Sequence, residues 1–385
     1  MTNLKLRNIL SSKEHGKRGR IDAFFLITVL ILATFGTVMV FSSGYAYAEV
    51  RYGDPLHFVK RQSLWLVIGI IVMLLASTVP SRIYKKITFP LYALTLLLLV
   101  LVLIFGFAGN GAQRWIAIGP LTIQPSEIAK LTMVMMLSLY FSAKEEKANG
   151  TKRLYSFLYG TLFPFLIILL PIVLVMLQKH LSCIIILGTI GILLIVMSGV
   201  ELKYLAAFTA AGISGVTYIA LFTDYTKDRI TVWRDPEAYK LTGGWQTLQG
   251  LMAIGSGGLF GKGLGRGELK YCYVSEPAND MIYAILCEEL GFVGAIITIL
   301  LFAVLVTRGF KIASSAKDTY CRLLVMSICT KIAVQTLLNI AVVTNTIPNT
   351  GISLPFFSYG GSSLVMLFFE MGIILSISRE SLIKK

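Results

Sequence analysis

Charge is scarce in this chain. Only 14% of its 385 residues are Asp, Glu, Lys or Arg, against 56% hydrophobic, and that balance excludes an ordinary soluble domain. Cysteine is sparse too. Cys183, Cys272, Cys287, Cys321 and Cys329 form no CxxC and no even set, so no disulfide framework is implied. The three histidines, His15, His57 and His180, stand alone without zinc-ligand spacing. Acidic residues are outnumbered 20 to 35, for a formal net charge of +15.

Long apolar runs fill the space that charge leaves. A stretch such as "LYALTLLLLVLVLIFGF" lacks the period-2 alternation of a barrel strand, so the expected fold is all-α and polytopic in a membrane. Hydropathy predicts about ten spans, at roughly 22–42, 62–79, 88–107, 126–142, 157–177, 181–199, 203–222, 280–306, 320–343 and 358–378, the fourth and sixth being the weakest. Pro164 and Pro171 should kink the fifth, because proline cannot complete the helical ladder. Ala46-Tyr47-Ala48 resembles a signal-peptidase site, but the apolar segment before it, about 20 residues, exceeds a signal core and predicts an uncleaved first span.

The basic residues gather on alternate loops: Lys5 to Arg20, then Arg82, Lys85 and Lys86, then Lys144 to Arg153. They recur at Lys203, at Arg308 to Arg322, and at Arg379 to Lys385. The positive-inside rule makes these loops and both termini cytoplasmic, facing anionic lipid, and nucleic acid is not needed to explain them. The chain divides into a basic segment 1–21, a transmembrane domain 22–378 and a tail 379–385. The longest outer loop, 223–279, lies between spans seven and eight without obvious secondary structure, and such loops are usually functional. No inverted half-to-half repeat is visible, which weighs against a repeat-built transporter.

Several motifs carry chemistry. "GSGGLFGKGLGRGELK" fails as a Walker A motif, with Ser256 where the first glycine belongs and Gly263 where Ser or Thr belongs, so no nucleotide is expected. Its glycines still suit a close approach to phosphate, and Lys262, Arg266 and Lys270 can neutralise a pyrophosphate; a re-entrant loop is the alternative. In "QPSEIAK", Glu127 and Lys130 are three apart, on one helix face as an ion pair, with Ser126 as a cap. Lys331 and Glu370 fall near mid-bilayer, where each needs a neutralising partner, Glu288 and Glu289 being the others within reach. Asp280 stands at the threshold of the eighth span: either a helix cap or a general base toward a hydroxyl.

Four blocks resemble one family. They are "NGAQRWIAIGPLTIQPSEIAK", "GWQTLQGLMAIGSGGLFGKGLGRGELK", "EPANDMIYAILCEELGFVG" and "PNTGISLPFFSYGGSSL". They are similar to the SEDS family of shape, elongation, division and sporulation proteins, whose branches are FtsW, RodA and SpoVE, and the resemblance runs from the first span to the last. It implies a peptidoglycan glycosyltransferase that polymerises lipid II outside the cytoplasmic membrane, at the septum for a division enzyme. Asp280 would be the catalytic base. Glu127 and Lys130 would line the same cavity, and Arg114, Lys270, Glu276, Ser358 and Ser362 fall in matching blocks. A class B penicillin-binding protein and other division or elongation proteins are the implied partners. A divalent cation, Mg or Mn, suits the pyrophosphate, although the sequence shows no dedicated metal cage.

Some positions depart from the family pattern. Val274-Ser275 replaces Leu-Pro, Asn279-Asp280-Met281 replaces Thr-Asp-Phe, Trp245 replaces tyrosine, and Lys179-His180 stands where Pro-Asp or Pro-His is commoner. None removes the aspartate. "AIGSGGLFGKGL" leans toward RodA, whereas "AVVTNTIPNTGISLPFFSYGGSSL" and Lys270 lean toward the favoured FtsW or SpoVE branch. A lipid II flippase, using Lys331, Glu370, Glu288 and Glu289 as a polar path, is the rival reading, and a non-catalytic division scaffold is a third. The topology makes a prediction of its own. Cys272, in the outer loop, is expected to react with a membrane-impermeant thiol reagent added to intact, wall-permeable cells, and labelling only after the cytoplasmic side is opened would overturn it.

Overall fold

The computed structural model describes residues 19–109, 112–118, 121–148, 156–200, 206, 210, 224–271 and 273–381. The expected seventh span (203–222), Cys272, most of the basic first segment and the end of the tail lie outside the described residues. The chain opens with α1 (Ala23–Tyr52), α2 (His57–Thr78) and α3 (Ser81–Phe105). Asp22 starts α1 by accepting the Phe25 N–H at 2.9 Å, and Gly53 ends it in the left-handed conformation.

Between α3 and α4 (Pro125–Ala148) the all-α expectation meets an exception. Strands β1 (Phe107–Gly109), β2 (Ala112–Ile118) and β3 (Leu121–Ile123) form a three-stranded antiparallel sheet in the order β1-β2-β3. Ile116 and Ile123 stand opposite each other in the β2–β3 pair. Aromatic and branched residues in "RWIAI" favour strand over helix here, and β2 packs on the ends of α3 and α4.

A π-helical turn (Ser156–Leu162) leads into α5 (Phe163–Leu177). Pro164 stands at the first turn of α5 and Pro171 inside it. The change from π to α geometry therefore coincides with the first missing proline N–H. Next come α6 (Leu181–Met197), then α7 (Asp224–Arg234) and α8 (Gly244–Ser256). These last two correct the expectation of a long loop without secondary structure. The chain closes with α9 (Ile282–Ser314), α10 (Thr319–Val343) and α11 (Gly361–Glu380).

Seven of the described helices are long and apolar enough to cross a membrane: α1, α2, α3, Phe157–Leu177, α9, α10 and α11. The exceptions are the expected fourth and sixth spans. α4 carries Glu127, Lys130 and Lys144, and α6 has only 17 residues. Helices approach closely where one offers a glycine. Gly69 of α2 lies under the Phe368 ring, and Gly372 of α11 lies against the Met73 backbone of α2.

One end of the bundle brings together four of the basic segments. Arg308 at the end of α9 forks onto Asp22, Nη2 to Oδ2 at 2.7 Å. Glu380, ending α11, accepts from the Ser81 hydroxyl at 2.6 Å and from Lys317. The Gly19 N–H donates to the Arg379 carbonyl at 2.9 Å. Four turns that the charge pattern assigned to one face thus touch one another.

α9 is not a single helix. Gly291 takes φ 67° and ψ −165°, which only glycine adopts readily, and this leaves a buried half-helix, Ile282–Leu290, ahead of the long spanning part. Glu288 and Glu289 on the half-helix have no exposed surface. Lys262 Nζ meets Glu288 Oε1 at 2.9 Å, and Lys270 Nζ meets Glu289 Oε1 at 2.7 Å, while the Ser42 hydroxyl of α1 closes on Glu289 Oε2 at 2.6 Å. Lys331 of α10 therefore finds Glu370 of α11, buried with it, and not Glu288 or Glu289. Removing one member leaves the other charge unpaired, a cost of about 3–5 kcal/mol. Lys331→Met is expected to lower the midpoint of thermal unfolding in detergent, and adding Glu370→Gln to restore part of the loss. Equal instability of single and double variants would count against the pairing.

Candidate active site

Asp280 is set by its backbone before its side chain matters. Glu276 takes a left-handed φ of 54°, and its carbonyl receives the Asn279 N–H at 3.0 Å, closing a tight turn. The next carbonyls are each claimed by a donor from the C-terminal helices or the loop joining them. Ala278 receives the Tyr359 N–H at 2.8 Å, Asn279 the Ser358 hydroxyl at 2.7 Å, and Asp280 the Asn339 amide at 2.9 Å. Asn339, fully buried on α10, also donates to the Ile352 carbonyl at 2.6 Å. The loop between α10 and α11 is held from other sides by Trp233 of α7, donating to the Asn345 carbonyl at 2.9 Å, by Arg229 on Asn349, and by Ser182 of α6 on Thr350.

This cradle bears on the helix-cap reading of Asp280. The cap position of α9 belongs to Met281 and has no side-chain hydrogen bond, so Asp280 is not holding the helix end. Its Oδ1 is inaccessible and has no partner among the described residues, whereas Gln246 of α8 hydrogen-bonds the carboxylate. No described cation forms an ion pair with it. Burial first, and the Glu276 charge second, push its pKa up from 3.8 to about 6, while Gln246 and Arg229 pull the other way. Gly351 faces it at φ 69°, where a Cβ would come within 3.6 Å of Oδ2.

A second polar centre lies deeper. Lys130 donates to Glu127 at 2.8 Å, as the i,i+3 spacing predicts. Glu127 and Lys331 line a small pocket together with Gln335, Ser353, Ser358 and Ser363. Asp280 is not among the residues that line this pocket. The Gly351–Ser358 loop stands between the two centres, with Gly351 toward Asp280 and Ser353 to Ser358 toward Glu127.

The other expected binding residues divide. Lys262 and Lys270 pair with Glu288 and Glu289, while Arg266 beside them is exposed. Ser358 donates to Asn279 and accepts the Leu354 N–H at 2.7 Å, so its hydroxyl is occupied within the protein. Ser363, not Ser362, reaches the cavity wall. Arg114 on β2 donates to the Lys179 carbonyl at 2.6 Å, tying the sheet to the α5–α6 turn. Among the described residues no group of three or more His, Cys, Asp or Glu gathers to hold a metal.

A bundle of membrane-length helices that carries, at one end, a largely buried carboxylate without an ion-pair partner among the described residues, over charges that neutralise each other, has the build of a multi-pass membrane protein. The chain belongs to the FtsW, RodA and SpoVE family, whose profile, described as "Cell cycle protein", matches residues 22–382. It is 38% identical over 362 residues to Stage V sporulation protein E of Bacillus subtilis, covering 94% of this chain and 97% of that protein. It is 34% identical over 360 residues to a probable peptidoglycan glycosyltransferase FtsW of Geobacter sp. (strain M18), covering 93% and 96%. Among solved structures it resembles a chain of a peptidoglycan synthase complex that coordinates polymerization and crosslinking, with a TM-score of 0.77 at 25% identity over 94% of this chain and 98% of that one. The rod shape determining protein RodA of Thermus thermophilus gives 0.68 at 25% identity, covering 94% and 97%.

Asn339 escaped the sequence reading, although a lone amide inside "LLNIAVV" was a signal. Asn339→Ala removes the amide that donates to the Asp280 and Ile352 carbonyls, each costing about 1–3 kcal/mol if left buried without a partner. The variant is expected to unfold at lower temperature in detergent, and an unchanged midpoint would mean that the cradle does not need it.

Proposed function

We propose that this protein is a peptidoglycan glycosyltransferase that polymerises lipid II at the outer face of the cytoplasmic membrane. The observation that carries the reading is the Asp280 carboxylate, which is partly desolvated, free of any described cation and fixed by three consecutive backbone contacts. In the reaction an acceptor hydroxyl of lipid II attacks the anomeric carbon of the lipid-linked strand. The new C–O bond forms as the bond to prenyl pyrophosphate breaks, and Asp280 takes the hydroxyl proton. Inversion at that carbon gives the β-1,4 linkage that the family resemblance implies.

Ten spans with both termini cytoplasmic fit the clustering of basic turns at the end opposite Asp280. Arg266, exposed beside the glycine-rich turn, is a cation at this end that can meet pyrophosphate. A divalent cation would come with the pyrophosphate, held by substrate oxygens and not by a protein cage. A class B penicillin-binding protein is the proposed partner, and the division or sporulation branch the proposed setting. The flippase reading needs Lys331, Glu370, Glu288 and Glu289 as stations along a path. Each is engaged with an opposite charge inside the protein, which suits holding helices together better than handing a charged headgroup along.

Asp280→Asn keeps size and polarity but cannot accept the proton, so polymerisation by purified protein should fall about 10²–10⁴-fold. A near-wild-type glycan yield at matched folded amounts would sink the assignment, and intact lipid II transport with blocked transport in Lys331 variants would favour the flippase. The pH dependence is a separate check. Asp280 must be ionised to act, so activity is expected to rise with pH through a midpoint near 6. Glu276→Gln removes a negative charge that raises that pKa, so the rising limb should move to lower pH; a shift upward would contradict the electrostatics.

A further inference from the structure

The turn that follows α8 carries large apolar side chains with nothing over them. Leu259 and Phe260 are 65% and 80% exposed. Their depth is fixed by backbone hydrogen bonds. The Phe292 N–H donates to the Gly258 carbonyl at 2.9 Å and the Val293 N–H to Leu259 at 3.1 Å, which places the turn where α9 resumes after Gly291.

Two helices measure that depth. Arg308, forked onto Asp22, marks the opposite end of the bundle. Phe292 stands sixteen residues before it, about 24 Å of helix at 1.5 Å per residue. Along α1, Ser42 meets Glu289 twenty residues after Asp22, about 30 Å. A bilayer's hydrocarbon core is about 30 Å thick, so the turn lies within its far edge and not above it.

We propose that the turn Gly257–Leu264 is re-entrant, with Leu259 and Phe260 seated among the acyl chains of the leaflet at the Asp280 end. Non-helical backbone at that depth must have its polar groups satisfied by protein, and here several are. The Gly261 N–H donates to the Gly257 carbonyl at 2.8 Å, the Lys262 N–H to Glu288 at 3.0 Å, and the Gly263 N–H to Glu289 at 2.9 Å. Gly257 and Gly261 explain themselves by the same contacts, since a Cβ on either would strike the Cys287 or Glu289 carbonyl. The Lys262 charge is met by Glu288, which leaves Arg266, beyond the turn, to stand at the headgroups. The exposed face continues without a break through Phe292, Ile297 and Leu300 down the spanning part of α9. That continuity, with the depth, selects lipid over a soluble protein as the occupant.

The test places a nitroxide label on Phe260→Cys in a Cys272→Ser background, the other four cysteines being buried. The protein is reconstituted into phosphatidylcholine–phosphatidylglycerol vesicles, and collision rates with oxygen and with a water-soluble nickel chelate are compared. Ile297→Cys supplies the lipid reference, and Leu241→Cys, 89% exposed beyond α7, the aqueous one. Phe260 is expected to favour oxygen as Ile297 does, and Leu259→Cys to repeat the result at a second position. Nickel collision equal to that at Leu241 would overturn the proposal and make the turn a docking face for a soluble partner. Dipolar broadening that grows with protein density would overturn it in favour of a second copy of this chain.

Discussion

Two adjacent carboxylates on a buried half-helix have no water to solvate them, and the contacts that satisfy them organise the outer half of this molecule. Glu289 takes Lys270 at 2.7 Å and the Ser42 hydroxyl at 2.6 Å, while Glu288 takes Lys262 and the Glu268 N–H, each at 2.9 Å. Such pairs contribute little net stability against an apolar alternative, and their value lies in specifying one arrangement. Here they draw the glycine-rich segment against α9 and join both to α1. The helix breaks at Gly291 where that segment crosses it. Everything before the break is then a short buried rod, Ile282–Leu290, entered through Asp280 and Met281. The position of the candidate base follows from charges two turns away.

This dependence also explains what was legible in the sequence and what was not. Spans were legible because burial in hydrocarbon imposes an unbroken apolar run. The Glu127–Lys130 pair was legible because i,i+3 geometry is local. Lys331 and Glu370 could be matched because a lone charge at mid-bilayer demands a partner. The partners of Lys262 and Lys270 were hidden for the converse reason. Beside glycines in a polar stretch they look available to phosphate, and only the tertiary return of that stretch onto α9 reveals their partners. Ser358 looked like a ligand-binding hydroxyl, yet its two hydrogen bonds run to Asn279 and Leu354 within the fold. Helices α7 and α8 were hidden because, at 11 and 13 residues, they are too short for a reading tuned to membrane spans.

The two polar centres differ in a way that bears on chemistry. Glu127 with Lys130, and Lys331 with Glu370, each sum to zero charge, so the deep cavity holds polar groups at modest electrostatic cost. Asp280 has no such partner, and the cost of its charge appears as the raised pKa. Gly351 preserves that condition. Its lack of a side chain leaves the space in front of Oδ2 open, while the loop it belongs to is fixed by Asn339, Arg229 and Trp233.

A pKa of about 6 in place of 3.8 makes the carboxylate roughly a hundredfold stronger as a base, since each unit is tenfold. At pH 7 it remains about nine-tenths ionised, because one unit separates the two. A value near 4 would leave a weaker base with no gain in ionised fraction worth having, and a value near 8 would leave most of the protein protonated. General-base catalysis works best when pKa and ambient pH lie close together. Partial burial beside Glu276, with Gln246 and Arg229 limiting the rise, is an arrangement that reaches that range.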